Sequence, residues 1–128
     1  MPLLGLGTYK MKEPSDLVNA LDCALLHGYR LIDTAAVYRN ESIIGECLPM
    51  LLEKHGLKRE DVFITTKLDP KYMDGSTIRE AVESSLKNLK INYVDLYLIH
   101  WPAKQVCAIF SSISLSTITS SWGKTLFL

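Results

Sequence analysis

The stretch Gly28-Tyr29-Arg30-Leu31-Ile32-Asp33-Thr34-Ala35 combines a glycine, a short apolar run and a polar end. Gly28 follows a helical pattern of apolar residues and is suited to end that helix in a left-handed conformation. The residues after it are typical of a buried β-strand, and Asp33 stands where that strand ends. The stretch therefore predicts a helix-to-strand connection with a carboxylate at the carboxyl end of the strand.

Four apolar runs recur in the first part of the chain, at 3–6, 30–32, 62–66 and 94–99. Leu31 and Phe63 are 32 residues apart, and Phe63 and Leu96 are 33 apart, close to the length of a strand, a helix and a return strand. Continuous apolar strands between helices predict a parallel α/β sheet, as in a doubly wound sheet or a barrel segment. The glycines near residue 6 do not complete G-x-G-x-x-G, which disfavours the usual dinucleotide-binding sheet.

Helical periodicity fills the gaps between these runs. The apolar faces are Leu17, Val18, Leu21, Ala24 and Leu25 in the first helix, Ile44, Leu48, Leu51 and Leu52 in the second, and Ile78, Ala81, Val82, Leu86 and Leu89 in the third. Pro14 opens the first helix. Pro49 is expected to kink or break the second, because proline cannot donate to the carbonyl four residues earlier. Thr77 and Glu80 have the spacing of a capping box at the start of the third helix.

The balance of charge argues against polyanionic partners. Lys and Arg total 14, as do Asp and Glu, so no strong field attracts nucleic acid or an anionic membrane surface. A small neutral partner is expected instead. Cys23, Cys47 and Cys107 form no CxxC pair and are odd in number, which argues against a disulfide framework or a zinc site and favours the cytoplasm. The first residues show no targeting signal.

The composition changes near residue 103. Residues 1–102 contain all 14 acidic side chains, whereas 103–128 contain none and are rich in serine and threonine. The apolar stretch at 106–118 is interrupted by hydroxyl residues and falls short of the roughly 20 apolar residues that a membrane-spanning helix needs. The chain is therefore interpreted as one domain at 1–102 followed by a divergent tail, with no membrane anchor.

Four reactive side chains stand at or just after the ends of predicted strands: Asp33, Tyr38, Lys67 and His100. In parallel α/β folds this edge is where active sites assemble. Each residue taken singly has a structural interpretation, as a cap, a half-buried aromatic, a solvated charge or a core polar group. Together they suit proton transfer, because an ammonium beside a phenol favours the phenolate and a histidine can orient a carbonyl oxygen.

The arrangement of motifs resembles the aldo-keto reductase family. The run at 28–35, followed after five residues by Glu41 and then by Ile44-Gly45, resembles the first signature of that family. Three other blocks resemble its first strand and loop, its third strand, and its fourth strand with the histidine after it, at 5–9 (GLGTY), 63–68 (FITTKL) and 86–102 (LKNLKINYVDLYLIHWP). The resemblance covers residues 2–102.

This resemblance implies a parallel (β/α)8 barrel of the TIM type, represented here by about four βα units, that reduces aldehydes or ketones with NADPH. The implied catalytic residues are Tyr38 as general acid, Lys67 and Asp33 as its partners, and His100 as the group that orients the carbonyl. The implied cofactor contacts are Gly7, Thr8, Tyr9 and Asp33. The implied substrate contacts are Tyr9, Val37, His100 and Trp101. The full-length form is expected to be a monomer.

A complete barrel of this type has eight strands in about 250 residues. The family's groups for the pyrophosphate and the adenosine 2′-phosphate come from later strands, and residues after 102 offer no counterpart. We therefore expect the 128-residue chain, interpreted as a truncated product, to reduce carbonyls poorly or not at all. The alternative function is that of a non-catalytic product that acts, if at all, through protein interaction.

Overall fold

The computed structural model describes residues 1–73 and 77–101 of the chain. Four strands alternate with three helices: β1 Leu6–Gly7, α1 Pro14–Leu26, β2 Leu31–Asp33, α2 Glu41–Lys54, β3 Phe63–Leu68, α3 Ile78–Leu89 and β4 Leu96–Ile99. Three short 3₁₀ turns lie between them, at Ala36–Tyr38, Arg59–Asp61 and Pro70–Tyr72. The divergent tail predicted at 103–128, together with Pro102, lies outside the described residues.

The strands form one parallel sheet in the order β1-β2-β3-β4. This confirms the α/β class and the parallel order predicted from spacing, since each helix returns the chain to the next strand alongside the last. In the sheet, Gly7 lies opposite Asp33, and Asp33 lies opposite Thr65. The carboxyl ends of all four strands consequently meet at one edge.

The strand boundaries differ from the predicted ones, most clearly in β1. The prediction of a strand at 3–6 is wrong, because only Leu6–Gly7 is paired and Leu3 and Leu4 are exposed. β1 can bond only where its neighbour is extended, and β2 does not begin until Leu31. β2 and β3 run one or two residues past their predicted ends, while β4 starts two residues late.

The hydrophobic core lies between the sheet and the helices. Its larger cluster is Leu17, Leu21, Leu25, Ile32, Ile44, Cys47, Leu48, Leu51, Leu52, Val62, Ile64 and Leu89, and its smaller cluster is Leu68, Met73, Ala81 and Tyr97. In β3, Ile64, Thr66 and Leu68 all face the helices, as the two-residue period of a strand requires. The side chains between them, including Lys67, therefore face the opposite side of the sheet.

Helix α2 is continuous from Glu41 to Lys54 even though it contains Pro49, so of the predicted kink or break the break does not occur. Pro49 is exposed, whereas Leu48, Leu51 and Leu52 are buried against the core. Burial of this apolar face outweighs the one backbone hydrogen bond that proline removes, because each buried leucine contributes roughly 1.5–3 kcal/mol.

Helix α3 begins after Thr77, as predicted, but the side chain of Thr77 makes no capping hydrogen bond to the helix. Its buried face is also narrower than predicted. Ala81 and Leu89 are buried together with Ser85, while the other predicted apolar positions, Ile78, Val82 and Leu86, are half-buried. The helix therefore packs along a stripe of small and apolar residues.

Helices α2 and α3 approach most closely at Gly45. A Cβ atom built on Gly45 would lie 2.6 Å from the carbonyl carbon of Leu89, and closer still to the carbonyl oxygen of Asn88. Both neighbours are backbone atoms, which cannot turn aside as a side chain can. A glycine is therefore required at this position by the separation of the helices.

One ion-pair cluster joins α1 to α2. The carboxylate of Asp22 accepts hydrogen bonds from Lys54 Nζ and His55 Nε2, each at 2.7 Å. The hydrogen bonds from Lys54 and then His55 hold the pKa of the Asp22 carboxyl below its ordinary value. A depressed pKa means that this contribution to stability is present above the pKa of the unfolded chain, about 3.9, and is lost as pH falls through the lower folded pKa.

The unfolding free energy of the wild-type chain should decrease as pH falls below about 4, because the Asp22 carboxylate is then protonated. We expect this decrease to be smaller in Asp22→Asn, which has no carboxylate at this position. Urea unfolding of the full chain between pH 3 and pH 7 measures this dependence. Asp16→Asn, at an exposed position in the first turn of the same helix, is the matched control and is expected to keep the wild-type slope. Equal slopes in wild type and Asp22→Asn would contradict the prediction.

Candidate active site

The four predicted catalytic residues meet at the carboxyl edge of the sheet. Asp33 ends β2, Lys67 lies near the end of β3, and His100 directly follows β4. Tyr38 is the last residue of the 3₁₀ turn that follows β2. Because the strands are parallel, these positions converge although up to 67 residues separate them in the chain. The structure brings all four together, as the sequence predicts.

Asp33 and Lys67 form an ion pair on the side of the sheet that faces away from the helices. Lys67 Nζ donates to Asp33 Oδ1 at 2.5 Å and to the backbone carbonyl of Thr34 at 3.0 Å. The Lys67 side chain is 14% exposed. Its ammonium is thus held at a fixed point and is screened less by salt than a surface charge.

The ring of Tyr38 contacts both Lys67 and His100. Lys67 Nζ is 5.2 Å from the centre of the Tyr38 ring, within the range of a cation–π contact. The ring also meets the imidazole of His100 edge to face, with 5.4 Å between centroids and 90° between planes. The phenol therefore has one positive charge and one titratable ring next to it.

The surroundings of His100 favour its neutral form. Burial lowers the pKa of His100 below its ordinary value, the charge of Lys67 lowers it further, and Asp33 and Asp69 oppose the shift. Its Nδ1 atom is buried and has no hydrogen-bond partner among the described residues. A neutral imidazole presents one N–H donor and one acceptor, so it can hydrogen-bond a carbonyl oxygen without adding a charge.

Two aromatic side chains border this group. The ring of Tyr9 lies 5.0 Å from that of Tyr38, tilted by 53°, and that of Trp101 lies 4.1 Å from His100. Tyr9 is 64% exposed and Trp101 is 48% exposed. Large aromatics exposed on both sides of a reactive cluster form apolar walls that suit a small ligand. Val37 lies one residue before Tyr38 on the same turn and is half-buried.

The predicted cofactor residues divide into two kinds. Gly7 borders open space, since a Cβ atom built there would have no heavy atom within 4 Å. Thr8 is fully buried, and its hydroxyl donates to the backbone carbonyl of Asp33 at 3.3 Å. Gly7, Tyr9 and Asp33 are accessible at this edge. Thr8 is not accessible, and its contribution is the hydrogen bond to the backbone of Asp33.

Sequence reasoning missed two buried polar residues next to this site. Asn40 is 0% exposed and bonds to two different loops. Glu41 is 3% exposed and accepts from Thr66 Oγ1 at 2.7 Å and from Asn88 Nδ2 at 3.4 Å. Asn40 directly precedes α2 and Glu41 is its first residue, where polar residues usually cap a helix or face solvent, so the sequence carried no sign of their burial.

The described residues contain no group of three or more His, Cys, Asp or Glu side chains placed to hold a metal ion. Within the same part of the chain, every helix is too short or too polar to cross a bilayer.

The chain matches a known protein family and its members. The family model described as "Aldo/keto reductase family" matches residues 3–118. An uncharacterized oxidoreductase of Bacillus subtilis is 47% identical over 104 residues, which are 81% of this chain and 37% of that protein. The chain thus spans little more than a third of the length of this relative.

Two solved structures resemble the fold. The aldose reductase of Schistosoma japonicum superposes with a TM-score of 0.76 at 50% identity, over 80% of this chain and 34% of that one. A Bombyx mori aldo-keto reductase in complex with NADP superposes with a TM-score of 0.73 at 36% identity, over 80% of this chain and 35% of that one. With the motifs, the sheet order and the convergent side chains, these likenesses show that the chain belongs to the aldo-keto reductase family.

Proposed function

We propose that the chain provides the proton-donating part of an active site that reduces aldehydes or ketones to alcohols with NADPH. The observation that carries this proposal is the contact of the Tyr38 ring with both the paired Lys67 ammonium and the His100 imidazole. The names of relatives support it as well, since they include an aldose reductase and a glyoxal reductase.

In this reaction a proton must reach the carbonyl oxygen as negative charge develops there. The Tyr38 hydroxyl is the proton donor, and the Lys67 ammonium stabilises the phenolate that remains. Asp33 holds Lys67 in place through their ion pair. The neutral ring of His100 orients the carbonyl oxygen by a hydrogen bond that strengthens as that oxygen gains charge.

The residues at this edge fit the nicotinamide end of a dinucleotide. The open space over Gly7 leaves room for a planar ring to approach the backbone, and Asp33 and Tyr9 border it. When bound, NADPH supplies the hydride that the carbonyl carbon receives. The choice of NADPH is supported by the Bombyx mori relative, which was solved with NADP.

The proposal includes a small neutral carbonyl substrate bordered by Tyr9, Val37 and Trp101. The equal numbers of acidic and basic residues support such a substrate over nucleic acid or a membrane surface. The three cysteines are odd in number and include no CxxC pair, which supports a cytoplasmic location. The full-length form is proposed to be a monomer.

A titration of NADPH fluorescence with the full chain at micromolar concentration tests the cofactor. We expect the emission to change on binding, and we expect Gly7→Val to weaken binding at least about tenfold, equal to about 1.4 kcal/mol. The new side chain would fill the open space without meeting any heavy atom of the protein within 4 Å of its Cβ. Folding should therefore be preserved.

Ser42→Val, on the exposed face of α2, is the control for adding a β-branched side chain elsewhere. No change in emission with the wild-type chain would favour the alternative, a non-catalytic product that acts through protein interaction. Equal affinity of wild type and Gly7→Val would contradict the placement of the cofactor over Gly7.

A further inference from the structure

Asn40 is a fully buried amide whose polar atoms are all engaged. Its Nδ2 group donates to the carbonyl of Thr8 at 2.8 Å and to that of Met11 at 2.9 Å. Its Oδ1 atom accepts from Thr34 Oγ1 at 3.0 Å. Both N–H donors and the carbonyl oxygen of one side chain are thus used inside the protein, in fixed directions.

These bonds join the two loops that carry Tyr9 and Tyr38. The first loop makes a turn that is closed by a hydrogen bond from Met11 N to the carbonyl of Thr8 at 3.1 Å. Asn40 donates to the carbonyls at the two ends of this turn, those of Thr8 and Met11. The second loop is the turn that ends in Tyr38, two residues before Asn40. The amide is therefore a direct link between the loops.

Each loop contains a residue in the left-handed region that glycine usually occupies. Lys10, next to Tyr9, has a φ of 66°, and Arg39, next to Tyr38, has a φ of 59°. Such conformations persist in residues other than glycine only when their surroundings determine them. Asn40 bonds to both sides of Lys10 and directly follows Arg39, so it supplies such surroundings for both turns.

We propose that Asn40 is a positioning residue that sets the placement of Tyr9 relative to Tyr38 and thereby aligns the Tyr38 hydroxyl with the substrate. The role in alignment rests on the proposed carbonyl reduction, whereas the placement of the two rings is a property of the fold. The rings are 5.0 Å apart, close enough for protons at their edges to give a nuclear Overhauser cross-peak.

Asn40→Asp is the main variant for the test. It keeps the shape of the side chain and the acceptor for Thr34, but it replaces two donor N–H groups by an oxygen that faces two carbonyl oxygens. We expect the cross-peak between the Tyr9 and Tyr38 rings to be lost in the full chain. Asn19→Asp, the same change at an exposed position of α1, is the control and should keep it.

Turnover provides the second measurement, with NADPH and 4-nitrobenzaldehyde, in a chimera in which this chain replaces the matched part of the Schistosoma japonicum aldose reductase. We expect Asn40→Asp to lower the rate roughly 10- to 100-fold, because a displacement of about 1 Å can reduce a rate that much. In a Tyr38→Phe background the same substitution should lower the rate less than twofold, since the group that it aligns is already absent. A merely structural residue would lower both backgrounds equally.

The outcomes separate the two proposals. A cross-peak that survives in Asn40→Asp, or equal rate losses in both backgrounds, would overturn the role of Asn40. Wild-type turnover that does not depend on Tyr38 would instead overturn the proposed function, while loss of the cross-peak would still support the placement of the rings. If Asn40→Asp does not fold, Thr34→Val removes only the hydroxyl that holds Oδ1, and an unchanged cross-peak there would overturn the proposal.

Discussion

Replacing Tyr38 by phenylalanine is expected to lower carbonyl turnover about 100- to 10,000-fold while leaving NADPH affinity nearly unchanged. The substitution removes one hydroxyl, the proposed proton donor, and keeps the ring that packs against His100 and Tyr9. Without the donor, the alkoxide that forms must take its proton from water. The rate should therefore fall because the transition state is less stabilised, not because the cofactor is lost.

The measurement uses a chimera in which this chain replaces the matched part of the Schistosoma japonicum aldose reductase, 34% of that protein. Tyr29→Phe is the matched control, because it removes the same hydroxyl from an exposed tyrosine before β2. Turnover in Tyr38→Phe equal to that of Tyr29→Phe would rule out Tyr38 as the proton donor. Lys67→Met should resemble Tyr38→Phe, since it removes the charge beside the phenol.

Gly45→Ala is expected to destabilise the fold by about 1–3 kcal/mol, although alanine favours a helix over glycine by about 1 kcal/mol. The added methyl group would overlap the backbone of Asn88 and Leu89, so α2 and α3 would have to move apart. That movement would loosen the contacts of Leu48 and Leu89 in the core. Urea unfolding of the full chain measures the change.

Ser42→Thr adds one methyl group at an exposed position of the same helix and is expected to change the unfolding free energy by less than about 0.5 kcal/mol. A Gly45→Ala variant as stable as the wild type would show that the helices separate freely at this point. The close packing of α2 on α3 would then not explain why a glycine stands at residue 45.

The sequence predicted the sheet well because parallel strands of this kind are buried and leave continuous apolar runs. The spacing of Leu31, Phe63 and Leu96 was enough to predict their parallel order, which the register confirms. Two local features depend on tertiary packing, which the sequence pattern does not show. Leu3 lacks a neighbouring strand to pair with, and Pro49 is retained in a helix whose other face is buried.

The convergence of the candidate catalytic residues was predictable for a different reason. Asp33, Lys67 and His100 stand at the ends of strands, and the topology alone brings such positions together. The burial of Thr8 and the bonds of Asn40 were not predictable, because they depend on loops whose residues are 32 positions apart. Loop-to-loop contacts of this kind leave no periodic pattern in the chain.

Successive side chains of β3 point to opposite faces of the sheet, and the two faces have different surroundings. Ile64, Thr66 and Leu68 face the helices, while Lys67 reaches the ion pair with Asp33 on the other side. Side chains around the ion pair can therefore be substituted without entering the apolar core. Insertion or loss of one residue within the strand is different, because it would turn Lys67 into the apolar core and a leucine or isoleucine toward Asp33. A change of two residues would restore the direction but shift the ammonium by about 6.6 Å, beyond the reach of Asp33. Strand β3 is thus expected to tolerate substitutions on the side of the ion pair better than a change of one or two residues in its length.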